Sequence, residues 1–337
     1  MKEAMFYEKL DEKKVRCFLC AHHCLIKEGK RGICGVRVNK EGTLYSLVYG
    51  KLIAMNIDPI EKKPLFHFLP GSTSFSISTI GCNFSCDHCQ NFEISQYPKL
   101  HENILGQDAT PESVVQAAQR NACSSISYTY TEPTIFFEFA FETAKLAHDK
   151  GIRNVFVTNG YMTAEALEMI NPYLDAANVD LKAFDDKYYR ELCGADLKHV
   201  QATLKLMRSL GVFIEVTTLI VPGLNDDPSE LNDLAAFIVQ ELGPQTAWHI
   251  SRFHPTYKLT DRPPTPVQTL TMAREIGLKA GLRYVYTGNV PGNAAENTFC
   301  YRCGETVIER WGFQVGNLQL KNGRCTKCGA EIDGVWK

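Results

Sequence analysis

Apolar strands alternating with amphipathic helices predict an α/β fold, a partial or near-complete (β/α) barrel with a small Cys-rich module at each end. Three observations carry that expectation. Seven short runs rich in β-branched and aromatic residues recur through the middle of the chain, each followed by a helical pattern. The longest, Val212–Val221, is almost continuously apolar, as suits a parallel strand covered on both faces. Finally, 11 of the 13 cysteines fall into three clusters, two of them outside the repeating region.

The strands are expected at Ser74–Ile80, Ser125–Tyr130, Asn154–Thr158, Asn178–Lys182, Phe213–Val221, Thr246–Arg252 and Arg283–Thr287. Helical periodicity fills the gaps at Pro111–Asn121, Ile135–Lys150, Ala164–Tyr173, Leu197–Leu210, Ser229–Leu242 and Pro266–Ala280. Thr110-Pro111-Glu112 and Asp227-Pro228-Ser229-Glu230 have the composition of helix starts. Strand followed by helix repeatedly means parallel strands joined by crossovers. In a barrel of that kind the strand C-termini and the loops after them make the active face. The expected organisation is 1–72 for a Cys-rich module and bridge, 73–292 for the barrel and 293–337 for a zinc-ribbon-like module.

Composition bounds the function. With 337 residues and a hydrophobic fraction of 45%, the chain is long enough to bury a sizeable core. The formal net charge of -2 gives no broad basic field, which argues against nucleic acid as a partner. Met1–Lys14 is charged throughout and no later stretch is long and apolar enough to span a bilayer, so a cytoplasmic location is expected. In that reducing compartment clustered cysteines read as metal ligands, not disulfides. Cys123 and Cys193 stand alone and read as packed thiols.

The most informative cluster is the loop Cys82-Asn83-Phe84-Ser85-Cys86-Asp87-His88-Cys89, which leaves the first strand through Gly81. Three thiolates at C-x3-C-x2-C spacing can hold one iron–sulfur cluster, and a [4Fe–4S] cube with no nearby fourth cysteine keeps one iron open. The competing reading is a zinc ion that borrows a ligand such as His88. Cys82, Cys86 and Cys89 are the expected catalytic metal ligands. The three-cysteine loop resembles the radical S-adenosylmethionine (SAM) superfamily, which implies that SAM occupies the open iron and is reduced to a 5′-deoxyadenosyl radical.

Polar residues at successive strand ends are expected to converge on that loop. The Glu132 carboxylate is suited to accept from the SAM ammonium, while Asn159 and Gly160 permit close backbone approach. Asp180 and Lys182 share one side of their strand and offer an acceptor and a cation. His249 and Arg252 are placed at the end of the sixth strand, and Val221–Asp226 forms a turn after the fifth. Each is weak alone, since strand-end carboxylates and ion pairs are common in turns.

Tyr130–Thr134, Val157–Gly160, Val179–Lys182 and Val221–Asp226, in order after the cysteine loop, resemble the pyruvate formate-lyase-activating-enzyme branch. Cys17–Cys24, Gly32–Arg37, Asp58–Phe68, Trp248–Phe253 and Tyr284–Gly292 resemble the radical SAM enzyme of the AmmeMemoRadiSam system. The resemblance covers nearly the whole chain. It implies an electron donor such as flavodoxin or ferredoxin, and association with Memo-type and AMMECR-type proteins. One departure stands out: Val157 replaces the Asp that activating enzymes use in a monovalent-cation site.

Cys17, Cys20, Cys24 and Cys34 have C-x2-C-x3-C-x9-C spacing, suited to zinc or to a second [4Fe–4S] cluster, and zinc is the favoured ion. Cys300, Cys303, Cys325 and Cys328 form paired C-x2-C knuckles and read as structural zinc. Arg302, Arg310, Lys321, Arg324 and Lys327 accompany the second set, but with few aromatics between them the module reads as a stabilising cap. Lys62–Phe68 is a candidate lid near the active site. Three functions compete: a radical SAM enzyme of the AmmeMemoRadiSam system, a glycyl-radical-enzyme activase, and a non-catalytic zinc protein that binds nucleic acid.

Overall fold

The computed structural model describes residues 1–290 and 292–336; Pro291, within the Tyr284–Gly292 motif, and Lys337 lie outside it. The core is one eight-stranded sheet whose strands follow one another in chain order. These are β1 (Ala54–Pro59), β2 (Thr73–Ser78), β3 (Ser125–Tyr128), β4 (Arg153–Thr158), β5 (Ala176–Asp180), β6 (Phe213–Ile220), β7 (Ala247–Arg252) and β8 (Val285–Gly288). β2 to β8 are parallel, and β1 pairs antiparallel with β2. An order that never reverses means that every crossover winds the same way, as in a barrel. Because β1 and β8 end the sheet, the barrel is partial.

All seven expected strands are present, displaced by at most a few residues at their ends. The six crossovers are α1 (Pro111–Arg120), α2 (Phe137–Asp149), α3 (Ala164–Ile170), α4 (Leu197–Ser209), α5 (Pro228–Phe237) and α6 (Val267–Ala280). The helix starts have the expected caps: Thr110 and Ser113 form a capping box, and Asp227 accepts from the backbone N–H groups of Ser229 and Glu230. β1, in the segment read as a bridge, was not foreseen. Its Ala54–Pro59 sequence has little apolar alternation because Met55, Asn56 and Ile57 are exposed at the sheet edge.

The face of the sheet away from the helices is polar. Ser74 and Ser127 share a hydrogen bond of 2.5 Å, and Thr217 donates to Asn178 Oδ1 at 2.9 Å. At the base, the N-terminal ends of the strands, this interior is plugged by Pro64–Leu69. The backbone N–H groups of Phe66 and His67 donate to Glu215 at 3.1 and 2.8 Å, and Phe68 packs among Val155, Ala176 and Phe213. Lys62–Phe68 is therefore a plug at the base and not a lid at the mouth. The displacement has a simple cause: β1 runs antiparallel to β2, so chain leaving its C-terminal end emerges at the base.

The two modules occupy opposite ends. The C-terminal module packs on the base, where Arg283 and Tyr284 bind Asp333, and His67 donates through Nδ1 to Asp333 O while accepting from the Tyr286 hydroxyl at 2.6 Å. Arg310, one of the cations that accompany the C-terminal cysteines, is 6% exposed and donates to Phe66 O and Thr298 Oγ1. The N-terminal module packs on the mouth. Its Ala21 N–H donates to Tyr161 O, Thr163 N–H donates to Leu19 O, and Cys20 bridges to Met162, all in the loop after β4.

Candidate active site

The Cys82–Cys89 loop follows β2 at the mouth of the partial barrel. Gly81 makes its entry possible: φ is +104°, and a Cβ there would meet Val36 Cγ1 at 2.7 Å. The loop is held from several sides. Ser85 and Asp87 N–H donate to the Cys193 and Leu192 carbonyls at 3.0 and 2.9 Å, and Lys99 Nζ donates to Phe84 O at 2.6 Å. His22 Nε2 donates to Asn83 O at 2.8 Å, so this histidine belongs to the mouth and is not a free surface residue. The buried Phe84 ring lies edge-on to Tyr161 and Tyr189.

The thiols have polar neighbours suited to a sulfur-ligated centre. Phe84 N–H approaches Cys82 Sγ at 3.4 Å, Asn159 Nδ2 lies 3.8 Å from the same sulfur, and Ser95 Oγ lies 3.2 Å from Cys89 Sγ. Burial, then the Glu132 charge, pushes the Cys82 thiol up, so any metal ligation by this thiol must release its proton. Lys182 sits nearby with its ammonium 2.8 Å from Asp180 Oδ2. Burial opposes its charge, but Asp180, Cys86 and Cys193 outweigh that and raise its pKa well above the usual lysine value. His88 is buried with Nδ1 3.4 Å from the Tyr188 hydroxyl and Nε2 without a partner. Burial and Lys182 lower its pKa to about 3, so it stays neutral within the loop.

The strand-end residues divide. Asn159 reaches the loop itself, donating to Asn83 Oδ1 at 2.8 Å, and Asp180 and Lys182 meet as alternation requires. Glu132 is at the mouth but is occupied: it accepts from Thr134 N–H, Thr134 Oγ1, Thr158 Oγ1 and Asn159 N–H at 2.5 to 3.0 Å. It holds Thr158–Gly160 in place, while Oε2 accepts only the Asn159 N–H. Gly160 has φ +69°, and a Cβ would meet Val179 Cγ1 at 2.9 Å and Val200 Cγ1 at 3.2 Å, so its missing side chain serves packing against α4.

His249 is not at the mouth. It is the third residue of β7, 3% exposed, with Nε2 2.6 Å from Glu215 Oε2 and its ring stacked on Tyr286. The expectation counted it as a strand end, but β7 runs on to Arg252, which does reach the end and donates Nε to Thr265 O at 2.8 Å. Val157 is partly exposed near the mouth, and its side chain offers no ligand atom for a cation.

Cys193 was missed. Its ligand atom lies within 4.8 Å of those of Cys86 and His88, although the sequence separates them by about a hundred residues. Gly194 directly after it caps the Tyr189–Cys193 turn at φ +70° and brings the segment against Ser85. At the base, Cys300, Cys303, Cys325 and Cys328 also gather within 4.8 Å, with Sγ pairs at 3.6 and 3.8 Å. These match a tetrahedral ion bound by four thiolates, whose sulfurs lie about 3.8 Å apart when each metal–sulfur bond is about 2.3 Å.

A partial parallel barrel with a three-cysteine loop after its first parallel strand is the arrangement that the sequence resemblance implies. Comparison with known proteins agrees. Residues 76–238 match the radical SAM superfamily. An uncharacterised protein of Methanocaldococcus jannaschii is 50% identical over 337 residues, 99% of this chain and 100% of the relative. The pyruvate formate-lyase-activating enzyme of Clostridium pasteurianum is 24% identical over 164 residues, 47% of this chain and 66% of that enzyme. A radical SAM methyltransferase from Sphaerobacter thermophilus shares the fold, with a TM-score of 0.52 at 17% identity over 66% of this chain and 68% of that one. The chain belongs to the radical SAM superfamily, and the family implies a [4Fe–4S] cluster and SAM. Among the described residues no helix is long and apolar enough to cross a membrane.

Proposed function

We propose that this protein is a radical SAM enzyme that reductively cleaves SAM and abstracts hydrogen from a substrate, with Cys82, Cys86 and Cys89 as the cluster ligands. The observation that carries the reading is the placement of these thiols on one pinned loop at the mouth, beside Asn159 and Lys182. The donor set fits: three cysteines supply three iron ligands and leave the fourth iron to SAM. When bound, cluster and SAM together supply a primary carbon radical after one-electron reduction.

The chain's own residues provide the setting. The Phe84 N–H, the Asn159 amide and the Ser95 hydroxyl contact the sulfurs, and such hydrogen bonds tune cluster potential. Lys182, held by Asp180, supplies a cation at the mouth that suits an anionic centre and the SAM carboxylate. Glu132 fixes the Asn159 backbone, and Phe84, Tyr188 and Tyr189 shield the loop from water. A low-potential one-electron donor such as flavodoxin or ferredoxin supplies the reducing equivalent. Association with Memo-type and AMMECR-type proteins is supported by the whole-chain AmmeMemoRadiSam motifs, among them Cys17–Cys24 on the mouth and Asp58–Phe68 at the base.

A second reading, activation of a glycyl-radical enzyme, is favoured by relatives of that kind, including the isethionate sulfite-lyase activating enzyme of Nitratidesulfovibrio vulgaris, 25% identical over 47% of this chain. Anaerobically reconstituted protein with SAM and dithionite should form 5′-deoxyadenosine, and Cys86→Ala should reduce the yield at least a hundredfold. Undiminished product from Cys86→Ala removes the proposal. A stable glycyl radical in an added partner enzyme would decide for the second reading.

A further inference from the structure

The two outer cysteine sets have the same number of thiols but not the same geometry. At the base the sulfurs gather as one ion requires, whereas among Cys17, Cys20, Cys24 and Cys34 no three sulfurs lie mutually within 4.8 Å. Those four instead border one shared cavity. Leu19, Ile26 and Ile135 supply apolar walls. Two buried polar groups also border it: Arg37, 1% exposed, and Asn83, 1% exposed, whose Nε and Nδ2 have no partner. Arg37 Nη1 already lies 3.5 Å from Cys17 Sγ. Buried N–H donors without acceptors are costly, and sulfide or thiolate sulfur in the cavity would accept from them.

The geometry points to a second [4Fe–4S] cluster held by Cys17, Cys20, Cys24 and Cys34, in place of the zinc that spacing favours. A cube binds each thiolate to a different iron, so its four sulfurs stand apart around a volume, as these do around the cavity. All four irons are then occupied by cysteine, which leaves no open position for SAM and limits the centre to outer-sphere electron transfer. Asn83, next to Cys82, is part of the cavity wall, so the second cluster borders the loop proposed to hold the first. The metal content of this cavity does not depend on the proposed function.

The test is metal and sulfide analysis with Mössbauer spectroscopy on the anaerobically reconstituted full chain. About eight iron, eight sulfide and one zinc per chain are expected, from two cubes and one four-cysteine zinc site. The Cys82→Ala/Cys86→Ala/Cys89→Ala variant should keep about four iron as a cube that does not respond to SAM. Cys20→Ser/Cys24→Ser should likewise fall to about four iron but retain the SAM-responsive signal. Four iron with two zinc in the intact protein, or no iron in a folded triple variant, overturns the assignment. Should a variant fail to fold, the count in the intact protein decides alone.

Discussion

The four cysteines at the mouth and the four at the base show how little ligand identity says about the metal. Both sets pair a C-x2-C with further cysteines, yet at the base two hairpin knuckles bring Sγ atoms to 3.6 and 3.8 Å, while at the mouth the ligands line a cavity. Their electrostatics differ too. A backbone N–H bond from Ala330 lowers the Cys328 thiol, and hydrogen bonds within the same set raise that of Cys303. At the mouth, burial and neighbouring thiols push Cys24 up to about 11. The base is preorganised for a single cation, whereas the mouth needs a bound centre to offset the burial of its sulfurs.

The largest effect that would break this contrast concerns the base. Cys303→Ser/Cys328→Ser should lose the metal expected there as zinc and unfold the C-terminal module, because metal binding at a structural site carries folding free energy on the order of 10 kcal/mol. Calorimetry and zinc analysis should show both losses, with iron retained whenever the barrel stays folded. Iron lost along with zinc would mean that the two ends are not separate sites.

A smaller effect is expected from the ion pair behind the mouth. Arg37 and Glu138 are paired and 2% and 1% exposed at the side chain, and Glu138 also accepts from Met5 N–H at 2.7 Å. Arg37→Met leaves Glu138 charged and buried, which should cost about 3–5 kcal/mol in denaturant unfolding. Arg324→Met, which breaks an exposed pair with Glu331 at the base, should change stability little. Equal losses from both would contradict the difference in burial.

The attachment of the C-terminal module should depend on pH through His67. Burial lowers its pKa to about 4, against about 6.5 unfolded. Between those values the unfolded chain binds the extra proton, so this contribution is complete above pH 6.5 and is lost as pH falls toward 4, by about 3 kcal/mol. Urea unfolding at pH 7 and pH 5 should show the loss in wild type and a weaker one in His67→Gln. The smallest effect belongs to the mouth: Lys182→Ala should weaken SAM binding about tenfold while the iron content stays unchanged. Unaltered SAM titration would place the cofactor elsewhere.

Residues whose role is set by local chemistry were legible in the chain. The strand–helix period, the Thr110 and Asp227 caps and the Cys82–Cys89 loop follow from neighbours a few residues apart, where backbone geometry and thiolate chemistry act directly. Asp180 and Lys182 were also legible, because alternation along a strand end places both on one side. Roles that depend on a partner far along the chain were decided only by tertiary structure. Glu132 is occupied by Asn159 from another strand end, His249 is claimed by Glu215 inside the base, and Cys193 reaches Cys86 through a loop contact. Sequence by itself determined the supply of thiolates and their order on the barrel. The separation between sulfurs, which distinguishes one ion from a cube, depends on how the hairpins and the loop after β4 pack, and spacing in the chain does not encode that distance.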